Sequence, residues 1–319
     1  MTIDAAETLF IALVQMLLVL GCAPFLHGVM RKLKARLQYR RGPSVWQPYH
    51  DLRKLWGKTT VESDTSSIVT AAAPVVVLAA MIVAALLLPI VSVRPPLDGA
   101  GDLLVVLGLL ALARFVMALA ALDAGSAFGG MGASREVAIA SLVEPGVLLA
   151  LAVAVAGAGT TDLSTIAAQG AAEGVASLTP SLLLAGVAFG IVAIAETGHE
   201  PVDNPDTHLE LTMIHEGMLI EASGRQLAML MYASQLKLVV VVGLFAAVFL
   251  PFGTASSGAL PAVAVGVGLA LAKLLAAACG LGLLDAGMAK MRILALPGLL
   301  GLSSLLAFTA LAARLWLPA

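Results

Sequence analysis

Long stretches without charge constrain this chain more than any other feature of its sequence. Five of them exceed 20 residues without an Asp, Glu, Lys or Arg: residues 8–30, 65–93, 174–195, 238–272 and 293–313. A helix needs roughly 20 apolar residues to cross a bilayer. The 18 basic and 20 acidic side chains make up only 12% of 319 residues, against about 25% in ordinary soluble domains. They are too few to cover a soluble protein of this length, which excludes an ordinary soluble enzyme.

Three more apolar stretches contain one charge each, at Arg114, Glu144 and Lys237. The long stretch after Lys237 is divided by the turn-forming segment PFGTASSG at 251–258. The pattern predicts an all-α membrane protein, a single integral membrane domain with eight transmembrane helices. We expect the helices at about residues 9–30, 69–91, 103–122, 136–157, 179–198, 227–250, 260–281 and 293–316, with cytoplasmic loops at 31–67 and 199–226.

The distribution of Lys and Arg predicts which side of the membrane each loop faces. In the eight-helix arrangement thirteen of the 18 basic residues fall on one side, nine of them in the segment 31–67, and two, Arg94 and Arg314, fall on the other. Cytoplasmic loops carry an excess of Lys and Arg. We therefore expect both termini on the non-cytoplasmic side of the inner (plasma) membrane. The net charge of −2 indicates no nucleic-acid partner.

The basic segment after the first predicted span contains an amphipathic helix. From Ser44 onward apolar side chains recur at helical spacing, charged ones occupy the other faces, and Pro48 falls in the first turn, where it is tolerated. Such a helix suits the cytoplasmic membrane interface. It can serve as an anchor that only fixes topology, or as a docking platform for a cytoplasmic partner. The residues expected to contact a partner are Arg40, Arg41, Gly42, Pro43, Trp46, Tyr49, Asp51 and Lys54.

Glu144 is the leading candidate for an ion-carrying group. It lies in the middle of the fourth predicted span and precedes Pro145, which leaves the carbonyl of Ser141 without its helical donor. A charge at this depth costs about 2.5–3.5 kcal/mol on insertion scales, so it is expected to face protein or water, often as part of a proton relay. The alternative is a neutral Glu that only forms a hydrogen bond between helices.

Other charges inside or at the edge of the predicted spans extend this candidate path. Glu136 and Arg135 lie about two turns before Glu144, towards the cytoplasm. Lys237 and Lys273 lie in consecutive spans and are further candidates, and Arg114 is a possible partner of Glu144. Each of these charges can instead belong to a static buried ion pair or extend to the membrane surface.

The connection between the fifth and sixth predicted spans is acidic. Residues 195–226 hold seven of the 20 acids and three of the five His. No zinc or iron site is expected here, because the segment lacks HExxH and His215 has no second His at four residues. Apolar residues interrupt the acids, which favours a segment that packs against a partner or lines a funnel over a solvated loop. His208, His215 and Glu216 are the candidates for partner contact.

Two segments of the chain resemble signatures of a known family. RRGPSVWQPYHDLRKLWGK and ETGHEPVDNPDTHLELTMIHEGMLIEASG resemble those of the respiratory complex I subunit 1 family, in the branch found in membrane-bound group 4 [NiFe]-hydrogenases of the formate hydrogenlyase type. PVDNPDTHLEL resembles the PFDLPEGEAEL-type motif of the quinone-reducing branch. Asp203, Asp206 and Glu210 stand where the family has acids, and Glu221 stands for its later Glu-Tyr-Ser. The similarity covers essentially the whole chain.

The fourth span and two departures in the acidic segment refine this resemblance. Arg135 and Glu144, nine residues apart, resemble the Arg and Glu of the family's fourth span. His208 replaces an acid, and TMIHEGMLIEASG is three residues longer than the quinone-branch loop. These departures favour a hydrogenase-type complex over a quinone reductase.

The resemblance implies a subunit that joins a cytoplasmic redox arm to a membrane arm and couples redox chemistry to proton or sodium movement. The partners implied are the hydrogenase large subunit, the small Fe–S subunit and an antiporter-like membrane subunit. This chain is expected to hold no cofactor, whereas its partners are expected to carry [NiFe] and [4Fe-4S] centres. The residues predicted for the ion path are Glu144, Glu136, Arg135, Glu196, Glu200, Asp203, Asp206, Glu210, Glu221, Lys237 and Lys273.

The sequence leaves three other functions open. The chain can be the quinone-site subunit of a complex I-type NADH:quinone oxidoreductase, with both loops lining a quinone chamber. A stand-alone secondary carrier is less consistent with the sequence, since no duplication of related halves is visible. A purely structural anchor would hold every intramembrane charge in a static pair.

Overall fold

The protein is a bundle of helices. The computed structural model describes residues 5–61, 63, 65–203, 214–255 and 258–316. Within these ranges the ordered elements are eleven α-helices and three short 3₁₀ turns, at Asp98–Ala100, Gly174–Ser177 and Ile293–Ala295. The α-helices are α1 (Ala5–Leu37), α2 (Gln47–Trp56), α3 (Ile68–Leu87), α4 (Leu103–Asp123), α5 (Ala127–Ala158), α6 (Leu163–Glu173), α7 (Pro180–Glu196), α8 (His215–Leu219), α9 (Gly224–Phe249), α10 (Leu260–Gly287) and α11 (Leu296–Trp316). The expected fold class, an all-α membrane protein, is confirmed.

Seven of the described helices are long and apolar enough to cross a membrane, namely α1, α3, α4, α5, α9, α10 and α11. The eighth candidate is a bent pair, in which α6 and Gly174–Ser177 meet α7 at 114°. The bend falls where Thr179 caps α7 by accepting a hydrogen bond from the Leu182 amide, and Pro180 opens the first turn. The expected span at 179–198 begins at this break, but the sequence pattern predicted neither α6 nor its angle to α7.

Helix α9 lies at the centre of the bundle. Of its most apolar 18-residue window, 72% is buried, against 28–44% for the other six long helices. It packs against α1, α2, α3, α6, α7 and α10. A helix that is apolar on every side is expected in such a position. Any charge that α9 carries at mid-length, such as Lys237, is therefore held inside the protein.

Three helices extend well beyond the spans expected from hydropathy, and one of them, α10, continues past residue 281 to Gly287. Helix α1 continues past residue 30 to Leu37, because Lys and Arg are good helix formers and favour a helix C-terminus. Helix α5 begins at Ala127 instead of 136, capped by the Ser126 side chain, which accepts from the Gly129 amide. Its glycine-rich first turns make close contacts that a larger residue would prevent, as described below for Gly132.

A proline in α1 is compensated by a neighbouring helix. Pro24 has no N–H and so leaves the carbonyl of Leu20 without its helical donor. The hydroxyl of Tyr232, on α9, donates to this carbonyl at 2.8 Å. Tyr49, on α2, donates to the adjacent carbonyl of Gly21. Both bonds fasten α1 to its neighbours at the point where its own ladder is interrupted.

Hydrogen bonds between loops divide the bundle into two ends. At one end the Val61 amide donates to Ser223 Oγ at 2.7 Å, and the Ser67 amide donates to Asp123 Oδ2 at 2.8 Å. At the other end the Val93 amide donates to the Ala255 carbonyl at 3.1 Å. In the arrangement expected from sequence, alternate loops face the same side of the membrane, and the hydrogen bonds group the loops in the same way. The basic segment after α1 lies at the end with Val61 and Ser223.

Candidate functional site

Arg114 is the centre of a charge cluster between the helices. Its side chain, only 9% exposed, projects from α4. Nη1 donates to Glu144 Oε1 at 2.6 Å, and Nη2 donates to Glu196 Oε2 at 2.6 Å. Nε lies 3.8 Å from Glu136 Oε1. One guanidinium thus serves three carboxylates, two from α5 and one from α7, which its planar fork of five N–H groups allows.

Lys237 adds a second cation and a fourth helix to this cluster. Its Nζ lies 2.9 Å from Glu196 Oε1, so Glu196 bridges the two cations. The Glu196 side chain is 7% exposed and sits at the C-terminal end of α7. A buried carboxylate is tolerated when it is paired and hydrogen-bonded. With all five groups ionised, the three acids and two bases leave the cluster with a net charge of −1.

The cluster lies between two cavities, and Arg114 lines both of them. The larger, about 280 Å³, is lined by Glu144, Glu196 and mainly apolar side chains of α4, α5, α7 and α9. The smaller, about 40 Å³, is lined by Glu136, Lys237 and His215 among others. Polar groups therefore continue from one cavity to the other through the guanidinium.

Spacing along α5 places the two acids of that helix at different depths. Glu136 and Glu144 are eight residues apart, which corresponds to about 12 Å along a helix. The Glu136 side chain is 18% exposed, whereas that of Glu144 is 52% exposed, the highest value in the cluster. Glu144 is thus the member of the cluster that is nearest to the protein surface.

A second group of ion pairs anchors the start of the acidic segment to other helices. His199 Nδ1 lies 3.0 Å from Asp285 Oδ2 of α10, and Lys34 of α1 lies 3.5 Å from Glu200 Oε1. Lys290 Nζ donates to Asp203 Oδ1 at 2.8 Å. Glu200 and Asp203 are each 4% exposed. These two acids are therefore buried at the end of the bundle that carries the α1–α2 connection, not on a solvated loop.

The remaining residues predicted for the ion path lie elsewhere. Arg135 is half-buried beside Glu136, and Glu221 is exposed just after α8. Lys273 lies near the opposite end of α9, where its Nζ donates to the carbonyls of Leu250 and Phe252, the latter at 2.6 Å. Asp206, Glu210 and His208 lie outside the described residues. The structure thus brings together Glu136, Glu144, Glu196 and Lys237, but not Lys273.

The residues predicted for partner contact form a surface at the end of α1 and along α2. Arg40, Arg41, Gly42, Trp46 and Lys54 are exposed, and Pro43, Tyr49 and Asp51 are half-buried. The Trp46 ring lies against the rings of Phe25 and Tyr49, with centroids 5.8 and 5.5 Å away. Burial raises the pKa of Tyr49, so its hydroxyl stays a donor to α1 at neutral pH. His215 and Glu216 are half-buried on α8.

Sequence reasoning considered Arg114 only as a partner for Glu144 and left it out of the predicted ion path. The signal was present, because Arg114 is an isolated charge in an apolar helix. Its pairing with Glu196, 82 residues away in the chain, required the tertiary structure. Lys34, Lys290 and Asp285, which hold the acidic segment, were likewise not singled out as partners of that segment.

Comparison with known proteins shows the family to which the chain belongs. A profile described as NADH dehydrogenase matches residues 9–316, nearly the whole chain. The chain belongs to this family. This is the family of complex I subunit 1-type proteins, which the two signature segments resemble. The family match includes every described member of the charge cluster.

Two relatives from Escherichia coli (strain K12) are named as a component of hydrogenase-4 and as a subunit of formate hydrogenlyase. Hydrogenase-4 component C is 36% identical over 264 residues, which cover 83% of this chain and 82% of the relative. Formate hydrogenlyase subunit 4 is 36% identical over 281 residues, covering 88% of this chain and 90% of the relative.

A solved structure shares the fold of this family member. It is that of the membrane-bound sulfane sulfur reductase, an archaeal respiratory membrane complex, in which one chain superposes with a TM-score of 0.84 at 22% identity. The superposition covers 96% of this chain and 99% of the other. At this identity the likeness describes the fold alone. Together with the relatives, it supports an integral membrane protein related to components of multisubunit complexes.

Proposed function

We propose that this protein is the membrane-anchoring, ion-translocation-coupling subunit of a group 4 [NiFe]-hydrogenase complex of the formate hydrogenlyase type. The observation that carries the proposal is the five-charge cluster around Arg114, held by α4, α5, α7 and α9. The names of the two E. coli relatives support the class of complex.

The cluster has the charge balance that an ion-carrying site needs. Its three acids exceed its two bases by one, so binding of a single H⁺ brings the net charge from −1 to 0. Because Arg114 contacts all three carboxylates, it can shift its hydrogen bonds to those that remain ionised. Interactions between such charges are strong where the local dielectric constant is low. Protonation of one acid therefore changes the electrostatic interactions of the other two.

The two cavities give the cluster access from two directions. Glu136, Lys237 and His215 line the smaller cavity, at the side of the acidic segment. Glu144 lines the larger one. In the proposed path an ion enters near Glu136, passes the Arg114–Glu196–Lys237 group and leaves by Glu144 towards a neighbouring antiporter-like membrane subunit.

The cytoplasmic end of the bundle would carry the redox subunits. The exposed basic and aromatic residues of the α1–α2 surface, such as Arg40, Arg41 and Trp46, suit a large protein partner. In this assignment the hydrogenase large and small subunits hold the [NiFe] and [4Fe-4S] centres, and both termini of this chain face away from the cytoplasm of the inner membrane.

The substitution Glu144→Gln tests the coupling role. It removes the ionisable group but keeps the size and one hydrogen bond to Arg114, so the complex is expected to assemble and to evolve H₂. We expect at least a tenfold lower uptake of H⁺ or Na⁺ per H₂ in proteoliposomes that contain the purified complex. Glu173→Gln, at an exposed carboxylate of α6, is the matched control and is expected to retain wild-type uptake.

Two outcomes would contradict the proposal. Full ion uptake in the Glu144→Gln complex would remove Glu144 from the path. Turnover of the wild-type complex with quinone, but not with protons, as electron acceptor would replace the hydrogenase assignment by a quinone reductase.

A further inference from the structure

His215 occupies the junction between the acidic segment and the charge cluster. It is the first residue of α8, a short helix that packs against α5 and α4. The approach is close because α5 has a glycine there: a Cβ on Gly132 would lie 2.8 Å from the Ile214 carbonyl oxygen and 3.1 Å from the Met218 amide. Gly132 thus lets the backbone around His215 approach α5 one turn before Glu136.

The imidazole has a buried nitrogen without a partner. Nε2 of His215 is inaccessible to solvent and forms no hydrogen bond to the residues that the structure describes. A buried polar nitrogen is normally satisfied, and one that is not calls for an explanation such as an ordered water. His215 lines the 40 Å³ cavity together with Glu136, Ser234 and Lys237.

The cavity has the size and lining that a water molecule needs. A water requires about 10–15 Å³ of such space and two to four polar partners. The cavity of about 40 Å³ has five residues with polar side chains in its lining: Arg114, Glu136, His215, Ser234 and Lys237. A water there would connect His215 Nε2 to Glu136, the first acid of the cluster.

Asp203, at the start of the acidic segment, holds the backbone of His215. Its amide donates to Asp203 Oδ2 at 3.2 Å, and Asp203 Oδ1 accepts from Lys290 at 2.8 Å. The residue as a whole is only half-buried, although Nε2 is covered. His215 therefore lines the cluster cavity and is also fixed to Asp203, at the start of the acidic segment.

We propose that His215 is the proton-transfer group through which protons enter the charge cluster, and that the ion moved is H⁺. This inference rests on the proposed coupling function and adds the entrance and the ion. In the transfer, Nδ1 accepts a proton from the cytoplasmic side, and Nε2 releases its own to the cavity water. The water passes a proton to the Glu136 carboxylate, and the imidazole regains its starting tautomer before the next transfer. The partner's redox reaction supplies the free energy.

The identity of the ion follows from what already occupies the cluster. Sodium needs several oxygen ligands, whereas each carboxylate of the cluster already has the cation of Arg114 or Lys237 within 4 Å. An imidazole relays protons between its two nitrogens, whereas it gives Na⁺ no oxygen to bind. His215 at the entrance therefore selects for H⁺.

Chemical rescue in the assembled complex tests this inference. The purified complex is reconstituted in proteoliposomes, supplied with dithionite-reduced methyl viologen, and assayed for H₂, for H⁺ uptake with an enclosed pH-sensitive dye and for ²²Na⁺ uptake. We expect His215→Ala to keep H₂ evolution while H⁺ uptake per H₂ falls at least tenfold. Added imidazole, at millimolar concentration, should restore at least half of it, because it can occupy the vacated space. His215→Gln, which fills that space, should lose H⁺ uptake without rescue.

Matched controls and outcomes separate this inference from the proposed function. Glu173→Gln, at an exposed carboxylate of α6 outside the cluster and the α1–α2 surface, should keep wild-type H⁺ uptake and show no response to imidazole. Full H⁺ uptake in His215→Gln or His215→Ala, or loss in the latter that imidazole does not reverse, would overturn the inference and leave the proposed function standing. So would ²²Na⁺ uptake by the wild-type complex. If the wild type evolves H₂ but moves neither ion, the proposed function fails and the inference fails with it.

Discussion

Arg114 illustrates how one residue can stabilise several buried charges. Its guanidinium is delocalised and offers donors in a fixed plane, so it reaches Glu144 and Glu196 at 2.6 Å at the same time. A lysine would offer a single point of charge in its place. Removal of one partner from a buried ion pair costs about 3–5 kcal/mol, because the other charge is left without compensation.

A double-mutant cycle at Arg114 and Glu196 measures this dependence. We expect Arg114→Gln alone to lower the thermal midpoint of the detergent-solubilised protein strongly, since Glu196 then depends on Lys237 alone. Arg114→Gln combined with Glu196→Gln should be less destabilised than the sum of the two single variants, by about 1–3 kcal/mol. Fluorescence-detected size-exclusion chromatography after heating provides the measurement.

Combination with a distant acid is the control for this cycle. The exposed Glu173 on α6 lies outside the cluster, so effects of Arg114→Gln and Glu173→Gln should be additive. Additive effects for Arg114 and Glu196 as well would mean that their 2.6 Å contact contributes nothing measurable to stability.

At the scale of helices, glycine determines how closely α8 and α5 approach. Gly129, at the start of α5, lies close to the C-terminal part of α4, where an added Cβ would be 2.7 Å from the Ala121 carbonyl oxygen. Gly132 makes the corresponding contact with α8. These contacts explain why a helix begins in a glycine-rich segment that propensity alone disfavours by about 1 kcal/mol per glycine.

The pair Gly132→Ala and Gly130→Ala tests this explanation. The methyl group that Gly132→Ala adds would collide with backbone atoms of α8, so we expect a loss of about 1–3 kcal/mol and displacement of His215 from the cavity. Gly130 has only Leu122 Cδ2, at 3.9 Å, near its added Cβ. Gly130→Ala should therefore be neutral or slightly stabilising. Thermal midpoints of the two variants, measured side by side, would refute the explanation if they were equal.

At the scale of the whole molecule, the distribution of basic residues predicts one orientation in the membrane. The loops that hydrogen bonds group at the end of the α1–α2 surface are those that carry most of the Lys and Arg. The opposite end carries Arg94 and Arg314. The positive-inside rule then predicts that the end with the α1–α2 surface faces the cytoplasm.

Labelling of single cysteines tests this orientation. In a background where Cys22 and Cys279 are replaced by Ala, Tyr39→Cys and Leu294→Cys should react with a membrane-impermeant maleimide only in inverted vesicles. Val175→Cys and Trp316→Cys should react in intact spheroplasts. All four side chains are largely exposed on the protein surface, and they lie outside the long helices or at the ends of a candidate span. The reverse pattern would invert the topology and move the predicted cytoplasmic surface to the outside.

The sequence by itself determined that the chain lies in a membrane, its fold class and its family. Hydropathy and charge are properties of local stretches, so they identified an all-α membrane protein with about eight spans and the few charges inside it. The signature segments are local too, and they indicated the family that the NADH dehydrogenase profile matches. The bend between α6 and α7 was not predicted, because hydropathy marks where a span starts and says nothing of its angle to the preceding helix.

Only the tertiary structure decided which charges meet. Lys237 and Lys273 were equivalent candidates by sequence, yet one pairs with Glu196 and the other donates to the carbonyls after α9. The partner of a side chain in a bundle depends on the rotation and depth of each helix, which follow from packing along its whole length. Arg114 and Glu196 are therefore neighbours although 82 residues separate them, and the cavity that His215 lines is formed by five helices together, α3, α4, α5, α8 and α9.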